Sequence, residues 1–114
     1  MSDCLFCRII AREVPAALVA ENDGAIAFED IKPAAPSHVL VVPRLHVASM
    51  ADLDFEDPDH VRAWTAASRL AQEVAVPFQS GWRLVTNIGE DGRQSVLHLH
   101  LHVLAGRRFG WPPG

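Results

Sequence analysis

The chain has no surplus of positive charge. Ten Lys and Arg against fourteen Asp and Glu leave a formal net charge of −4. A protein that tracks phosphodiester backbones ordinarily carries a basic face, so nucleic acid is not an expected partner. No apolar run is long enough to span a bilayer, and a membrane is not expected either. The opening MSDCLFCRII has an early acid and no basic stretch ahead of an apolar one. That argues against a secretory signal and makes a cytoplasmic address the expectation. Only two cysteines occur, Cys4 and Cys7, and in that compartment both are expected reduced. Repeats and low-complexity tracts are lacking, and the acidic stretch 52–60 reads as a solvated connection. What is present is ordinary: 114 residues, 49% hydrophobic and 21% charged. That suits one domain over 1–114 with a modest core. A tail over 105–114 ends in GWPPG, where Pro112 and Pro113 lack the donors that a helix or central strand needs.

The pattern predicts an α+β fold. Residues 4–11 read as a short helix that Ser2 or Asp3 can cap. LVAEN (18–22) and AIAFED (25–30) flank Asp23-Gly24, a hairpin signal. SHVLVVP (37–43) reads as a buried strand. Asp57-Pro58 is a capping acid followed by a proline suited to the first helical position. From there Val61, Trp64, Ser68, Ala71 and Ala75 recur at helical spacing, widened by Leu70 and Val74. GWRLVTN (81–87) and LHLHLHVL (97–104) supply two further strands around the loop IGEDGRQS (88–95). With few crossovers available, the five strands should form a mostly antiparallel sheet beside one short and one longer helix.

The stretch HLHLHVLAG (98–106) carries the chemistry. On a strand, alternate side chains share a face, so His98, His100 and His102 should look one way. Leu97, Leu99, Leu101 and Val103 should look into the core. Imidazole has no advantage over threonine or valine in a sheet, so three in register point to a task. Metal ligation is one possibility, but His98 and His102 would lie about 13 Å apart along a strand, too far for one ion to take all three. The other is nucleophilic attack by a neutral imidazole, with neighbours holding an anion. The loop 88–95 can offer backbone N–H groups, a hydroxyl and an amide to a phosphate.

These residues resemble the histidine triad (HIT) family, and within it the histidine triad nucleotide-binding (Hint) branch. The matching stretches are CLFCRII, AFEDIKPAAPSHVLVVPRLH, NIGEDGRQSVLHLHLHVLAG and the terminal WPPG. The resemblance implies hydrolysis or nucleotidyl transfer at the α-phosphate of a purine nucleoside phosphoramidate or related nucleotide, through a covalent nucleotidyl-histidine. It implies His100 as nucleophile, His102 and His38 on the phosphate, Ser95 assisting the leaving group, and Asn87 bonding near the phosphate. Asp30 would hold the ribose, with Phe6, Ile9, Phe28 and Ile31 around the base; Gln94, Ser95 and Val96 complete the nucleotide set. By residue type alone, Ser95 and Asn87 are turn residues, and the four apolar side chains are core.

Cys4-x-x-Cys7 in a cytosolic setting suggests metal or redox work, and two thiolates need two more ligands to close a tetrahedral site. The resemblance implies one structural zinc per chain on Cys4, Cys7, His46 and His98. The residue-level alternative is two reduced, buried thiols with His46 and His60 on the surface. The resemblance also implies a homodimer in which the tail with Trp111 reaches the partner; the apolar helix with Trp64 agrees with a covered face. The chain departs from the Hint pattern at Arg93, where glycine is usual, and at Leu97, where an aromatic is common. Two other functions stay open: a dinucleoside polyphosphate hydrolase, and a nucleotide- or partner-binding module with weak catalysis.

Overall fold

The computed structural model describes residues 3–114. Ser2, one of the two expected helix caps, lies outside the described residues. The elements are α1 (Leu5–Ile10), β1 (Leu18–Glu21), β2 (Ala25–Glu29), β3 (Ser37–Pro43), a 3-10 turn (Met50–Asp52), α2 (Pro58–Ala75), β4 (Arg83–Val85) and β5 (Leu101–Ala105). The strands form one sheet in the order β1-β2-β3-β5-β4, and every neighbouring pair is antiparallel. This is the α+β architecture that the sequence pattern predicts. No helix among the described residues is long and apolar enough to cross a membrane.

The sheet has two covered faces. On one, Ala25, Ala27, Val39, Val41, Leu101 and Val103 pack under α2 through Ala67, Leu70, Ala71 and Ala75. Asp57 caps α2 by accepting the Asp59 N–H at 2.9 Å, and Pro58 occupies the first turn, where a missing donor costs nothing. The alanines let the helix approach the strands closely. On the other face, Ile26, Phe28, Leu40 and Val42 lie under α1, which contributes Phe6 and Ile9. Each such buried aliphatic or aromatic side chain contributes roughly 1.5–3 kcal/mol. Strand register decides which face receives the histidines: Leu40 sits opposite His102, and His38 opposite Leu104. His38 and His102 therefore belong to the α1 face.

Four local expectations need correction. The cap of α1 is not Asp3 but Cys4, whose sulfur accepts the Cys7 N–H at 3.4 Å. The last strand starts at Leu101, four residues later than the alternation suggests, because residues 97–100 leave the ladder. Leu97 is 67% exposed and is not core, whereas Leu99, Leu101 and Val103 are buried as expected. The strand continues through Ala105, so the tail begins one residue later than the sequence suggests.

The Asp23-Gly24 turn forms, closed by the Asn22 N–H on the Ala25 carbonyl at 2.9 Å. Gly24 is not left-handed there; its role is close approach, since a Cβ would sit 2.5 Å from the Ala66 Cβ. Asn22 fastens the same turn to α2 by donating to the Ala66 carbonyl at 3.1 Å. Gly24→Ala should therefore destabilise the fold by about 1–3 kcal/mol through overpacking, with Asp23→Ala close to neutral. Urea unfolding of both variants checks this; equal midpoints would remove the packing argument.

Candidate active site and metal centre

The three histidines of the row part company. His98 is fully buried, His100 is 3% exposed, and His102 is half-buried. Phe6 of α1 packs over His98 and His100, so this part of the row lies in a recess.

His98 is the corner. Its Nε2 lies 2.8 Å from the Pro43 carbonyl. A carbonyl only accepts, so Nε2 carries the proton and Nδ1 keeps its lone pair. That Nδ1 faces Cys4 Sγ at 3.4 Å, Cys7 Sγ at 3.6 Å and His46 Nδ1 at 3.2 Å, while Cys7 Sγ and His46 Nδ1 are 3.3 Å apart. Ligands about 2.3 Å (S) and 2.0–2.1 Å (N) from a tetrahedral zinc would be separated by roughly 3.3–3.8 Å from one another. Four atoms of the right chemistry thus already stand close to a ligand tetrahedron, drawn from α1, the segment after β3, and the segment before β5. Burial pushes the His98 imidazole down to about 4, which keeps it neutral and able to ligate. Cys4 and Cys7 are half-buried and His46 is exposed, and the two thiols and His46 group with His98. His60 lies elsewhere, accepting the Asp54 N–H at 2.9 Å.

His100 is oriented by the same corner. Its Nδ1 donates to the His98 carbonyl at 2.7 Å, which leaves the Nε2 lone pair outward. Phe6 packs edge-on against its ring at 5.0 Å. Burial lowers the His100 pKa, favouring the neutral, nucleophilic form.

His38 and His102 form a relay. The Ala34 N–H donates to His38 Nδ1 at 2.9 Å, so the His38 proton sits on Nε2 and points at His102 Nδ1, 2.9 Å away. His102 must then carry its own proton on Nε2, a buried atom with no partner among the described residues. A buried donor without an acceptor is a costly arrangement unless a ligand supplies the acceptor. Asp30 Oδ2 lies 3.4 Å from His38 Nε2, and the Asp30, His38 and His102 ligand atoms stand within 4.8 Å of one another. That trio is a hydrogen-bond relay, not a second metal site: a metal would need the His38 Nε2 lone pair, which the Ala34 N–H denies it.

Of the nucleoside-pocket candidates, Phe6, Ile9 and Phe28 are buried in the α1-side core, whereas Ile31 is 93% exposed. The core reading holds for the first three and fails for Ile31. Asp30 is half-buried; its Oδ1 accepts the Lys32 N–H at 2.8 Å. Val96 is half-buried and packs against that core. Asn87 follows by two residues Val85, the register partner of His102. Ser95 is exposed and, with Cys4 and His46, lines a depression beside the Cys4, Cys7, His46 and His98 cluster.

Gln94 does not offer its amide to a phosphate. Its Nε2 donates to the Ala48 and Val96 carbonyls at 2.6 and 3.0 Å, and its Oε1 accepts the Gly89 N–H at 3.1 Å. It braces the loop. Thr86 was not legible as a site residue, yet its hydroxyl donates to the His100 carbonyl at 2.9 Å; a threonine next to a strand end carries no signal for this. In the tail, the Arg83 and Arg107 guanidinium groups lie over Phe109 at 5.1 and 4.4 Å. Arg83 also donates to the Gly110 carbonyl at 2.8 Å, and Trp111 is 83% exposed.

The HIT domain profile matches residues 11–109. The chain belongs to the HIT domain family. It is 44% identical to an uncharacterised HIT-like protein of Synechocystis, over 98% of this chain and 97% of that one. It is 36% identical to a 14 kDa zinc-binding protein of Zea mays, over 99% of this chain and 89% of the relative. A HIT family hydrolase from Legionella pneumophila superposes with a TM-score of 0.90 at 39% identity, covering 98% of this chain and all of the other.

Arg93 settles a point that the sequence leaves open. Its φ is +62°, a left-handed conformation that costs an L-residue about 1–2 kcal/mol relative to glycine. Arg93→Gly should raise the unfolding free energy by about 1 kcal/mol in urea; a decrease would show that the side chain makes compensating contacts.

The relay has a pH signature. Burial first, then the neighbouring His100 and His38, push the His102 pKa from 6.5 down to about 4. Above pH 6.5 both folded and unfolded imidazoles are neutral. Between 6.5 and 4 only the unfolded chain takes up the proton, so stability falls with pH across that window. His102→Gln should lose about 1–2 kcal/mol less than the wild type between pH 7 and 4, allowing for partial exposure. Parallel pH–stability curves for the two proteins would contradict the buried neutral imidazole.

Proposed function

We propose that the protein is a nucleotide-binding hydrolase and nucleotidyl transferase of the Hint type, acting on purine nucleoside phosphoramidates and releasing nucleoside monophosphate. One observation carries the reading: the His98 carbonyl takes the His100 Nδ1 proton and leaves the Nε2 lone pair free, beside a His102 N–H that has no acceptor among the described residues. A nucleophile next to a waiting donor suits an α-phosphate. His100 Nε2 forms a bond to phosphorus as the phosphorus–nitrogen bond breaks, and the amine leaves with a proton delivered from the Ser95 side. His102 and His38 stabilise the phosphoryl oxygens, and Asn87 bonds beside them. Water then attacks phosphorus, returns a proton to the Ser95 side in place of the one given to the amine, and the phosphorus–Nε2 bond breaks, restoring neutral His100. In this reading Asp30 accepts the ribose hydroxyls and the exposed Ile31 covers the base, with Phe6, Ile9 and Phe28 as the apolar floor behind it. The fold similarity to a HIT family hydrolase supports this class of reaction.

Zinc on Cys4, Cys7, His46 and His98 belongs to the same reading, supported by the ligand geometry and by a zinc-binding relative. Four protein ligands would make it a cross-link with no position left for water. A homodimer in the cytoplasm completes the reading. The exposed Trp111 and the open sheet edge at β4, with Leu84 45% exposed, support the dimer more than Trp64 does, because Trp64 packs partly on its own core.

His100→Ala should keep the fold and lower kcat on an adenosine phosphoramidate by roughly three orders of magnitude or more, since the attacking atom is gone. Near-normal turnover in a clean preparation would sink the mechanism. With wild-type protein, preference for a diadenosine polyphosphate would assign the dinucleoside polyphosphate hydrolase instead. Tight nucleotide binding without turnover would assign a binding module.

A further inference from the structure

We infer that metal occupancy at Cys4, Cys7, His46 and His98 sets the tautomer and orientation of His100, with His98 as the positioning residue that joins the two sites. His98 is engaged on three sides at once. Its Nδ1 faces the three other ligands, its Nε2–H holds the Pro43 carbonyl at 2.8 Å, and its own carbonyl accepts the His100 Nδ1–H at 2.7 Å. A metal that fixes the ring fixes the backbone from which that carbonyl projects.

The segment needs such an anchor. Residues 97–100 lie outside the strand ladder. The backbone bond that ties them across the fold is the Leu99 N–H on the Val47 carbonyl at 2.7 Å, one residue past His46. So the segment is fastened to the very stretch that supplies the exposed ligand. Phe6 gives a second route. It sits between Cys4 and Cys7 on α1 and packs edge-on against both His98, at 6.0 Å, and His100, at 5.0 Å. Pulling the two cysteines onto a metal presses Phe6 against the nucleophile. Thr86 closes the far side by donating to the His100 carbonyl at 2.9 Å. With the metal gone, the Thr86 bond remains while the ring and Phe6 constraints slacken, so His100 can exchange its Nδ1 proton to Nε2 and lose the outward lone pair. Outer partners that orient a functional imidazole typically matter by about 10- to 100-fold.

The consequence for turnover rests on His100 being the attacking group; the ring conformation does not. The test uses the full-length wild-type protein freed of metal by a chelator, with His46→Ala, which removes an exposed ligand that also packs on His98 at 4.9 Å, as the weak-binding comparison. The probe is zinc itself, added stepwise to protein carrying nitrogen-15 histidine. Long-range proton–nitrogen correlations read the ring state of His100, and backbone spectra read the fold. The expected result is a single Nδ1–H form of His100 in the loaded protein and a mixture of tautomers in the folded, metal-free protein, changing in step with occupancy. In the same titration kcat on a phosphoramidate should rise about tenfold while nucleoside monophosphate affinity changes little. An identical His100 ring spectrum in the folded metal-free protein overturns the inference. Collapse of the whole fold on metal loss overturns it too, because the effect would then not be local to His100. A ring state that follows zinc in a protein with no turnover at all would instead uphold the positioning and refute the proposed reaction.

Discussion

A fully buried imidazole must satisfy both of its nitrogens inside the protein, and His98 does so in a way that organises everything around it. Its protonated Nε2 is spent on the Pro43 carbonyl at the end of β3, and this leaves Nδ1 directed at Cys4, Cys7 and His46. To reach that position the chain has to leave the sheet ahead of Leu101. The departure turns the His98 carbonyl toward His100 and seats the latter in a recess under Phe6. Were Nε2 to bond elsewhere, the tautomers at 98 and 100 would both be undetermined, and neither a ligand set nor an outward lone pair would follow.

The division of labour among the three histidines comes from burial as much as from sequence. Desolvation lowers the pKa of each, which favours the neutral ring at the three positions that the proposed reading assigns to a metal ligand, a nucleophile and a hydrogen-bond donor. A neutral imidazole has one proton, and a fixed backbone group decides where it goes: Pro43 O for His98, His98 O for His100, and the Ala34 N–H, through His38, for His102. Backbone atoms do not titrate, so the pattern persists across the pH range in which the rings stay neutral. The fold thereby presents an acceptor-seeking proton beside an electron pair, which is the local requirement for attack on a phosphoryl centre.

The sequence was most informative where local chemistry is self-sufficient. Asp57-Pro58 and the spacing of Ala71, Leu70 and Ala75 mark α2 because capping and periodicity are properties of the segment itself. SHVLVVP marks β3 for the same reason. The grouping of Cys4, Cys7, His46 and His98 was legible only through resemblance, since nothing local links residues 4 and 98. Strand alternation failed at residues 97–100 because a tertiary demand, the burial of His98 against Pro43, overrides the ladder there. Gln94 read as a phosphate ligand because an amide in a polar loop is chemically apt; the loop needed its carbonyls and N–H paired and used the amide first. Gly24 read as a turn residue, but its small size is required by α2, which the local sequence does not show. Ile31, apolar and placed among core-like neighbours, is exposed because it lies just past the end of β2, where no element among the described residues covers it.

The central claim is that His100 alone attacks while His98 stays on the metal. Rapid quenching of turnover with a nucleoside phosphoramidate, followed by peptide mass spectrometry, tests it most directly. The account predicts an acid-labile nucleotidyl adduct on His100, formed and lost within the turnover time. An adduct carried by His98 or His102, or turnover with no adduct on any histidine, would contradict it.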